Sequence, residues 1–228
     1  IIFFKFRYMH ESVQNLVNLK SEILNHISKF EIKNYNPNII AVSKTFPIDK
    51  IKPLLDYGHK HFGENKVQEA LDKWSAIKEL NKEIKLHMIG KLQTNKVKFA
   101  VKLFDFIHSV DSLKLASKIS NEQLKIKKKP KIFIQINIGN EMHKSGVNIK
   151  DVNNLYNECI NLGLDVVGLM CLPPIDYEPK KCFEVVKNKN DELKLNCLSL
   201  GMSNDYLQAV EVKSNFIRIG SKIFGQRT

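Results

Sequence analysis

Lys44 closes an apolar, β-branched run at residues 39–43 and is the first candidate for chemistry in this chain. If the run is a strand, side-chain alternation places Lys44 on the same face as Val42. Such a lysine either extends to solvent along its aliphatic stem or is positioned for use. Partial burial or a neighbouring cation lowers the pKa of a lysine, and the resulting neutral amine can form an imine with an aldehyde. Position alone favours the solvent-exposed alternative.

Arg218 is the second candidate, because it interrupts the apolar run at residues 216–219. Alternation places it on the face of Phe216, opposite Ile217 and Ile219. A guanidinium inside an apolar strand needs a partner, since an unpaired buried charge is very costly. One alternative is a salt bridge to an inward carboxylate, but the inward strand positions offer no obvious acidic residue. The other is a bound anion or an electron-rich ring.

Two turns near the carboxyl terminus combine glycine with serine. Gly201 and Ser203 follow one predicted strand, and Gly220 and Ser221 follow the next. Glycine lets the backbone approach an anion closely, and N–H groups at a helix start point towards it. The serine hydroxyls can add donors and cap the helices that follow. Taken singly, each turn is better explained by an ordinary capped turn, but their occurrence after two neighbouring strands favours a phosphate site.

The strands that carry these residues recur along the whole chain. Eight apolar segments alternate with segments whose apolar residues are spaced by three and four, as expected for strands and helices of a parallel sheet. The predicted strands are 38–43, 61–63, 86–89, 104–109, 131–138, 165–171, 196–200 and 215–219. An additional helix is predicted at 11–30, and residues 1–8 are expected to lie outside the fold.

Eight such units predict an α/β fold of one domain, a (β/α)8 TIM-type barrel over residues 9–228 with an extra N-terminal helix. A doubly wound open sheet is the alternative, but no G-x-G-x-x-G follows the first strand. The segment after the last strand is too short for a full helix, so the first helix is expected to cover that gap. In a barrel, the last strand lies beside the first, which brings Arg218 near Lys44. A phosphorylated pyridine aldehyde would satisfy the amine, the guanidinium and both turns, and Asn65 could donate to its ring or hydroxyl.

Composition narrows the class of protein. The net charge of +12 comes mainly from scattered lysines, whereas nucleic-acid binders concentrate charge and use arginine, so solvated surfaces are favoured over a nucleic-acid partner. No apolar run approaches the roughly 20 residues of a membrane span. Four cysteines without a C-x-x-C pair predict reduced thiols, a cytoplasmic location and no metal site.

The ordered motifs of the chain resemble the pyridoxal phosphate homeostasis protein family, small barrels related to the N-terminal domain of alanine racemase. The resemblance runs from about residue 39 to residue 227. It rests on the following motifs: AVSKT at 41–45, HFGEN at 61–65, HMIGKLQTNK at 87–96, IHSVD at 107–111, KSG at 144–146, GLM at 168–170, LGMS at 200–203 and RIGS at 218–221. Lys66 departs from the pattern, because relatives often have tyrosine there.

The resemblance implies that pyridoxal phosphate (PLP) is held as a Schiff base on Lys44, with Arg218 facing the pyridine nitrogen and Ser203, Gly220 and Ser221 holding the phosphate. It also implies a monomer or weak dimer that buffers or supplies PLP, with apo PLP-dependent enzymes as possible partners and no established catalysis. The alternative is a PLP-dependent amino-acid racemase or decarboxylase-like enzyme, for which related racemases take a second base from another domain or subunit. A sugar-phosphate barrel enzyme without PLP is a more distant alternative.

Overall fold

Parallel pairing in chain order closes eight strands into a ring, which confirms the predicted barrel. The computed structural model describes residues 9–139, 141, 145–174 and 177–226. The ring consists of β1 (Asn38–Val42), β2 (His61–Glu64), β3 (Lys85–Met88), β4 (Phe106–Val110), β5 (Lys131–Asn137), β7 (Asp165–Cys171), β8 (Cys197–Ser199) and β9 (Phe216–Ile219). A two-residue strand, β6 (Val147–Asn148), pairs with the end of β5 and was not predicted.

Helices cover the outside of the ring between successive strands. They are α1 (Glu11–Lys29), α2 (Ile48–Asp56), α3 (Val67–Leu80), α4 (Val97–Leu103), α5 (Leu113–Ile126), α6 (Val152–Asn161), α7 (Pro179–Glu192), α8 (Tyr206–Glu211) and α9 (Ser221–Phe224). Because α9 has a single turn, α1 packs beside it, and the Asn15 side-chain amide donates to the Ile223 carbonyl at 3.2 Å. The expectation that the first helix covers this gap is confirmed.

The barrel has an inner and an outer apolar layer, as strand alternation requires. The inner layer contains Phe216 together with side chains from β1, β5 and β7. The outer layer lies between strands and helices and includes Ile217 and Ile219. Arg218 is 3% exposed, so the predicted burial of this guanidinium in the last strand is confirmed.

The expectation that Ser203 and Ser221 cap the last two helices is wrong. The N-cap residue of α8 is Asp205, and that of α9 is Gly220. Ser221 is already the first residue of α9, where its backbone has turned helical. Both hydroxyls are thereby left out of the capping positions.

The remaining expectations concern the N-terminal residues, one motif residue, membrane spans and the cysteines. Residues 1–8, expected to lie outside the fold, and Lys144 of the KSG motif are outside the described residues. Within the described ranges, no helix combines the length and apolarity needed to cross a membrane. The four cysteines are present as free thiols.

Candidate functional site

A cavity of about 830 Å³ opens at the carboxyl ends of the strands, where barrel sites form. Six of the seven residues predicted from the sequence line it: Lys44, Asn65, Ser203, Arg218, Gly220 and Ser221. They come from the ends of four different strands, so only barrel closure brings them together. The volume lies within the range usual for sites that enclose small molecules.

The turn that carries Lys44 is held from the helix side of the barrel. Thr45 adopts a left-handed conformation with φ of 69°, and its backbone N–H donates to Glu69 at 2.5 Å. The Lys73 ammonium donates to the Ser43 carbonyl at 2.8 Å and to the Phe46 carbonyl at 3.2 Å. Glu69 and Lys73, which both belong to α3, therefore fix the backbone on either side of Lys44. The Lys44 side chain is half-buried.

A buried carboxylate completes this support. Glu64 is fully buried, and its Oε1 atom accepts hydrogen bonds from the Ser43 hydroxyl at 2.8 Å and the Trp74 indole at 2.9 Å. The Lys73 ammonium lies 2.7 Å from the same oxygen. Glu64 is thus directed towards α3 and away from the barrel interior, so it does not act as a partner for Arg218.

Arg218 is held from the interior side. Its Nη1 atom donates to the Ser199 carbonyl at 2.5 Å and to the Ser199 hydroxyl at 2.6 Å, while Nη2 donates to the Cys171 carbonyl at 2.9 Å. In the register of β1 and β9 it lies opposite Ile40, with Val42 and Lys44 further along towards the cavity. The predicted proximity of the two cations is confirmed to the extent that both line one cavity.

Asp205, which we did not single out from the sequence, is the carboxylate that acts on Arg218. It lines the cavity and is buried, and its Oδ1 atom accepts from the Met202 backbone N–H at 2.6 Å. Burial raises the pKa of Asp205, against the opposing effects of that hydrogen bond and of Arg218. Burial lowers the pKa of Arg218 to about 10, and the charge of Asp205 opposes this shift. The guanidinium remains a cation at neutral pH.

The two predicted glycine turns differ in their position relative to the cavity. Gly220 and Ser221 line the cavity directly, next to Ser203 from the other turn. Gly201 lies behind the cavity wall and is not among the lining residues; its carbonyl accepts from the Arg218 backbone N–H at 3.0 Å. Its φ of 85° and the 2.6 Å that would separate a Cβ atom from Ala209 require glycine at this position. A direct contact between Gly201 and a cofactor therefore stays a prediction.

Other polar strand residues form internal networks. The Gln135 amide donates to the Ser145 carbonyl at 3.0 Å, and the Asn137 amide donates to the Glu141 carbonyl at 3.0 Å. His87 is fully buried and hydrogen-bonded on both ring nitrogens, so it is a satisfied core histidine. We also missed Ser199. It lies between Leu198 and Leu200 at the end of β8, and this alternation indicates an inward-facing hydroxyl.

Comparison with known proteins identifies the family. The family model for the alanine racemase N-terminal domain matches residues 21–228. The pyridoxal phosphate homeostasis protein of Aquifex aeolicus is 36% identical over 199 residues, which cover 83% of this chain and 86% of that protein. The one from Pongo abelii is 38% identical, with 97% of this chain and 85% of that protein covered.

Solved structures agree with this assignment. PipY of Synechococcus elongatus, solved without PLP, has a TM-score of 0.83 and 30% identity, with 95% of this chain and 100% of that chain covered. Its structure with PLP bound has a TM-score of 0.77 and 31% identity, with 89% and 100% covered. Alanine racemase of Clostridium difficile shares the fold, with a TM-score of 0.66, 16% identity and coverage of 92% of this chain and 57% of that chain. This chain belongs to the pyridoxal phosphate homeostasis protein family, within the wider alanine racemase N-terminal domain family.

Proposed function

We propose that this protein binds PLP and acts in intracellular vitamin B6 homeostasis, holding the cofactor and supplying or buffering it without turning over a substrate. The observation that carries the proposal is the convergence of an amine, a buried guanidinium and two serine-bearing turns on one cavity. The names of the relatives and the PLP in the PipY structure support the same conclusion.

The donor set of the cavity fits the functional groups of PLP one by one. The Lys44 amine is the group that condenses with the aldehyde to form an imine. Arg218 supplies a fixed donor for the pyridine nitrogen. Ser203, Ser221 and the backbone at Gly220 supply neutral donors for the phosphate. Asn65 lies at the end of β2 on the same cavity and is placed to donate to the ring or its hydroxyl.

Arg218 also supports a role without turnover. When PLP is bound, its pyridine ring can serve as an electron sink, and it does so best when a carboxylate keeps the ring nitrogen protonated. A guanidinium is a donor without an acceptor, so it disfavours protonation of that nitrogen. The three hydrogen bonds of Arg218 hold the guanidinium in place as a donor for that nitrogen.

The alternative of an amino-acid racemase or a decarboxylase-like enzyme rests on one observation, which is that Tyr177 lines the cavity. A tyrosine hydroxyl can act as a general acid or base. Incubation of PLP-loaded protein with amino acids in deuterated water distinguishes the two functions. We expect no steady α-hydrogen exchange, whereas enzyme-like exchange that is lost in Tyr177→Phe would establish catalysis.

The partners and the location belong to the same proposal. A carrier that forms a reversible covalent bond can release PLP to apo PLP-dependent enzymes, and a monomer or weak dimer would leave the cavity mouth accessible. Free cysteines are typical of proteins kept in a reducing cytoplasm.

The absorbance spectrum of the purified protein with PLP, before and after borohydride, tests the assignment. We expect an imine band in the wild-type protein and, after reduction, a mass increase on the peptide that contains Lys44. Lys44→Ala should abolish both while leaving thermal unfolding in the absence of PLP unchanged, and Lys66→Ala, which changes an exposed lysine near Asn65, is the matched control. Unchanged PLP retention in Lys44→Ala would refute the assignment.

PLP binding should also increase the free energy of unfolding of the protein. PLP at 100 times its dissociation constant should add about 2.7 kcal/mol to the free energy of unfolding, if it binds only the folded state. Lys44→Ala should reduce this gain at the same PLP concentration.

A further inference from the structure

A continuous chain of side-chain hydrogen bonds runs through the barrel interior and ends at Arg218. His61 Nδ1 lies 3.0 Å from His87 Nε2, and His87 Nδ1 lies 2.9 Å from His108 Nε2. His108 Nδ1 lies 2.9 Å from the Ser199 hydroxyl, which is 2.6 Å from Arg218 Nη1. We call the three rings the histidine column. Their nitrogens face one another in pairs, at distances that fit one shared hydrogen per pair.

The Ser199 hydroxyl decides the direction of these hydrogen bonds. Arg218 can only donate, so the hydroxyl oxygen accepts from Nη1. The hydroxyl has one hydrogen of its own and is fully buried, and the other side-chain partner that the structure gives it is His108 Nδ1. If His108 Nδ1 also donated, the serine hydrogen would be left without an acceptor in a buried site, which is unfavourable. Ser199 therefore donates to His108 Nδ1.

The same direction of hydrogen-bond donation applies to each pair of rings in the histidine column. Burial, followed by the charge of Arg218, holds the pKa of His108 well below its ordinary value, so the ring is neutral and its hydrogen is on Nε2. That hydrogen is donated to His87 Nδ1. Burial likewise keeps His87 neutral, so its own hydrogen is on Nε2 and is donated to His61 Nδ1. All three rings take the same tautomer.

This common tautomer gives the column a functional consequence. Each imidazole has its unprotonated nitrogen towards Arg218 and its N–H away from it, so three dipoles point their negative ends at the buried cation. We propose that the histidine column and Ser199 are positioning residues that hold the Arg218 guanidinium in one orientation through uncharged hydrogen-bond partners.

The surroundings of Arg218 agree with this assignment. Its three hydrogen bonds within the described residues all go to uncharged oxygens, from Ser199 and Cys171. Asp205 acts on it electrostatically from the cavity side. This role rests on the proposed function, in which Arg218 faces the pyridine nitrogen. The histidine column and Ser199 are not among the residues that line the cavity, so they would act on the ligand through Arg218.

Nitrogen-15 NMR of histidine-labelled protein tests the proposal in the absence of PLP. At pH 7 we expect His61, His87 and His108 all to be neutral with the hydrogen on Nε2. A hydrogen on Nδ1 of any of the three, or a protonated ring, overturns the proposal. Because no PLP is present, this result is independent of the cofactor assignment.

A pair of matched variants tests the role of the guanidinium. Arg218→Met removes the cation that sets the direction, so we expect Nδ1–H tautomers to appear in the column. Lys44→Met removes the other cation of the cavity and should leave all three rings unchanged. Retention of the Nε2–H tautomer at all three rings in Arg218→Met would show that Arg218 does not orient the column. If Arg218→Met fails to fold, the tautomers of the wild-type protein still decide the proposal.

Discussion

Acidification is expected to destabilise this protein well before its carboxylates are protonated, because of the histidines in the barrel interior. Burial holds the pKa values of His87 and His108 well below 6.5, and each ring is fully buried. Burial also lowers the pKa values of His59 and His61, in each case to about 4. In the unfolded chain these rings take up protons near pH 6.5, whereas in the folded protein they remain neutral. Unfolding between pH 6.5 and the folded pKa values therefore consumes protons.

The sign and the size of this change in the free energy of unfolding follow from the linkage between proton binding and unfolding. Stability rises with pH wherever the unfolded state binds more protons, so the contribution is fully present above pH 6.5 and is lost as the pH falls towards the folded values. A fully buried neutral histidine then loses about 2 kcal/mol of stabilisation between pH 7 and pH 5. His87 and His108 together should lower the free energy of unfolding by about 4 kcal/mol, which is a large part of the roughly 5–15 kcal/mol usual for a domain. His59 and His61 are partly exposed and add a smaller loss of the same sign.

Urea unfolding followed by circular dichroism at pH 7, 6 and 5 measures this loss directly. An independent measurement is the number of protons taken up when the protein is unfolded in urea at pH 5.5, which should be about two or more. A free energy of unfolding that changes by less than about 1 kcal/mol between pH 7 and pH 5 would show that the column is protonated in the folded protein. That result would also contradict the tautomers assigned above.

Three substitutions test the supports of the site. Lys73→Met leaves the fully buried Glu64 without its cation and should cost about 3–5 kcal/mol in urea unfolding, while adding Glu64→Gln should recover most of the loss. Gly168→Ala would place a Cβ atom 1.9 Å from the Cys197 carbonyl oxygen. It should therefore destabilise the β7–β8 pair by about 3 kcal/mol or more, and an unchanged melting temperature would refute the close approach. Ser203→Ala should weaken PLP binding about tenfold or more through the loss of a hydrogen bond to phosphate, and Ser75→Ala on the exposed side of α3 is the control.

The sequence allowed the barrel and most of the cavity to be predicted, because both depend on local patterns. Apolar, β-branched segments predicted all eight strands of the ring, and each predicted end lies within two residues of the end in the structure. The fourth strand begins two residues later than predicted. Phe104 is the C-cap residue of α4, and its N–H donates to the Ala100 carbonyl at 2.9 Å. The Asp105 carboxylate accepts from the Leu86 N–H at 2.8 Å. Hydrophobicity alone does not distinguish a helix end from a strand start.

The histidine column could not be predicted, because it depends on register between strands that are far apart in sequence. Taken by itself in the sequence, His87 cannot be distinguished from an ordinary core histidine. Its partners come from the neighbouring strands β2 and β4, and His108 reaches Ser199 across the barrel interior, 91 residues further along the chain. Asp205 was overlooked for a similar reason. Within Ser203-Asn204-Asp205 it has the composition of a helix start, and only the folded loop brings its charge to Arg218.

The two cations of the cavity are held from opposite sides of the barrel wall. The turn of Lys44 depends on Lys73 and Glu69 in the outer layer, whereas Arg218 depends on Ser199 and the column in the interior. This division matches what each group must do. An amine that forms a bond with a ligand needs a fixed backbone, and Glu69 and Lys73 of α3 hold the backbone on either side of Lys44. A donor that sets the electronic state of a ring needs a fixed side chain, and the interior hydrogen bonds fix the guanidinium itself.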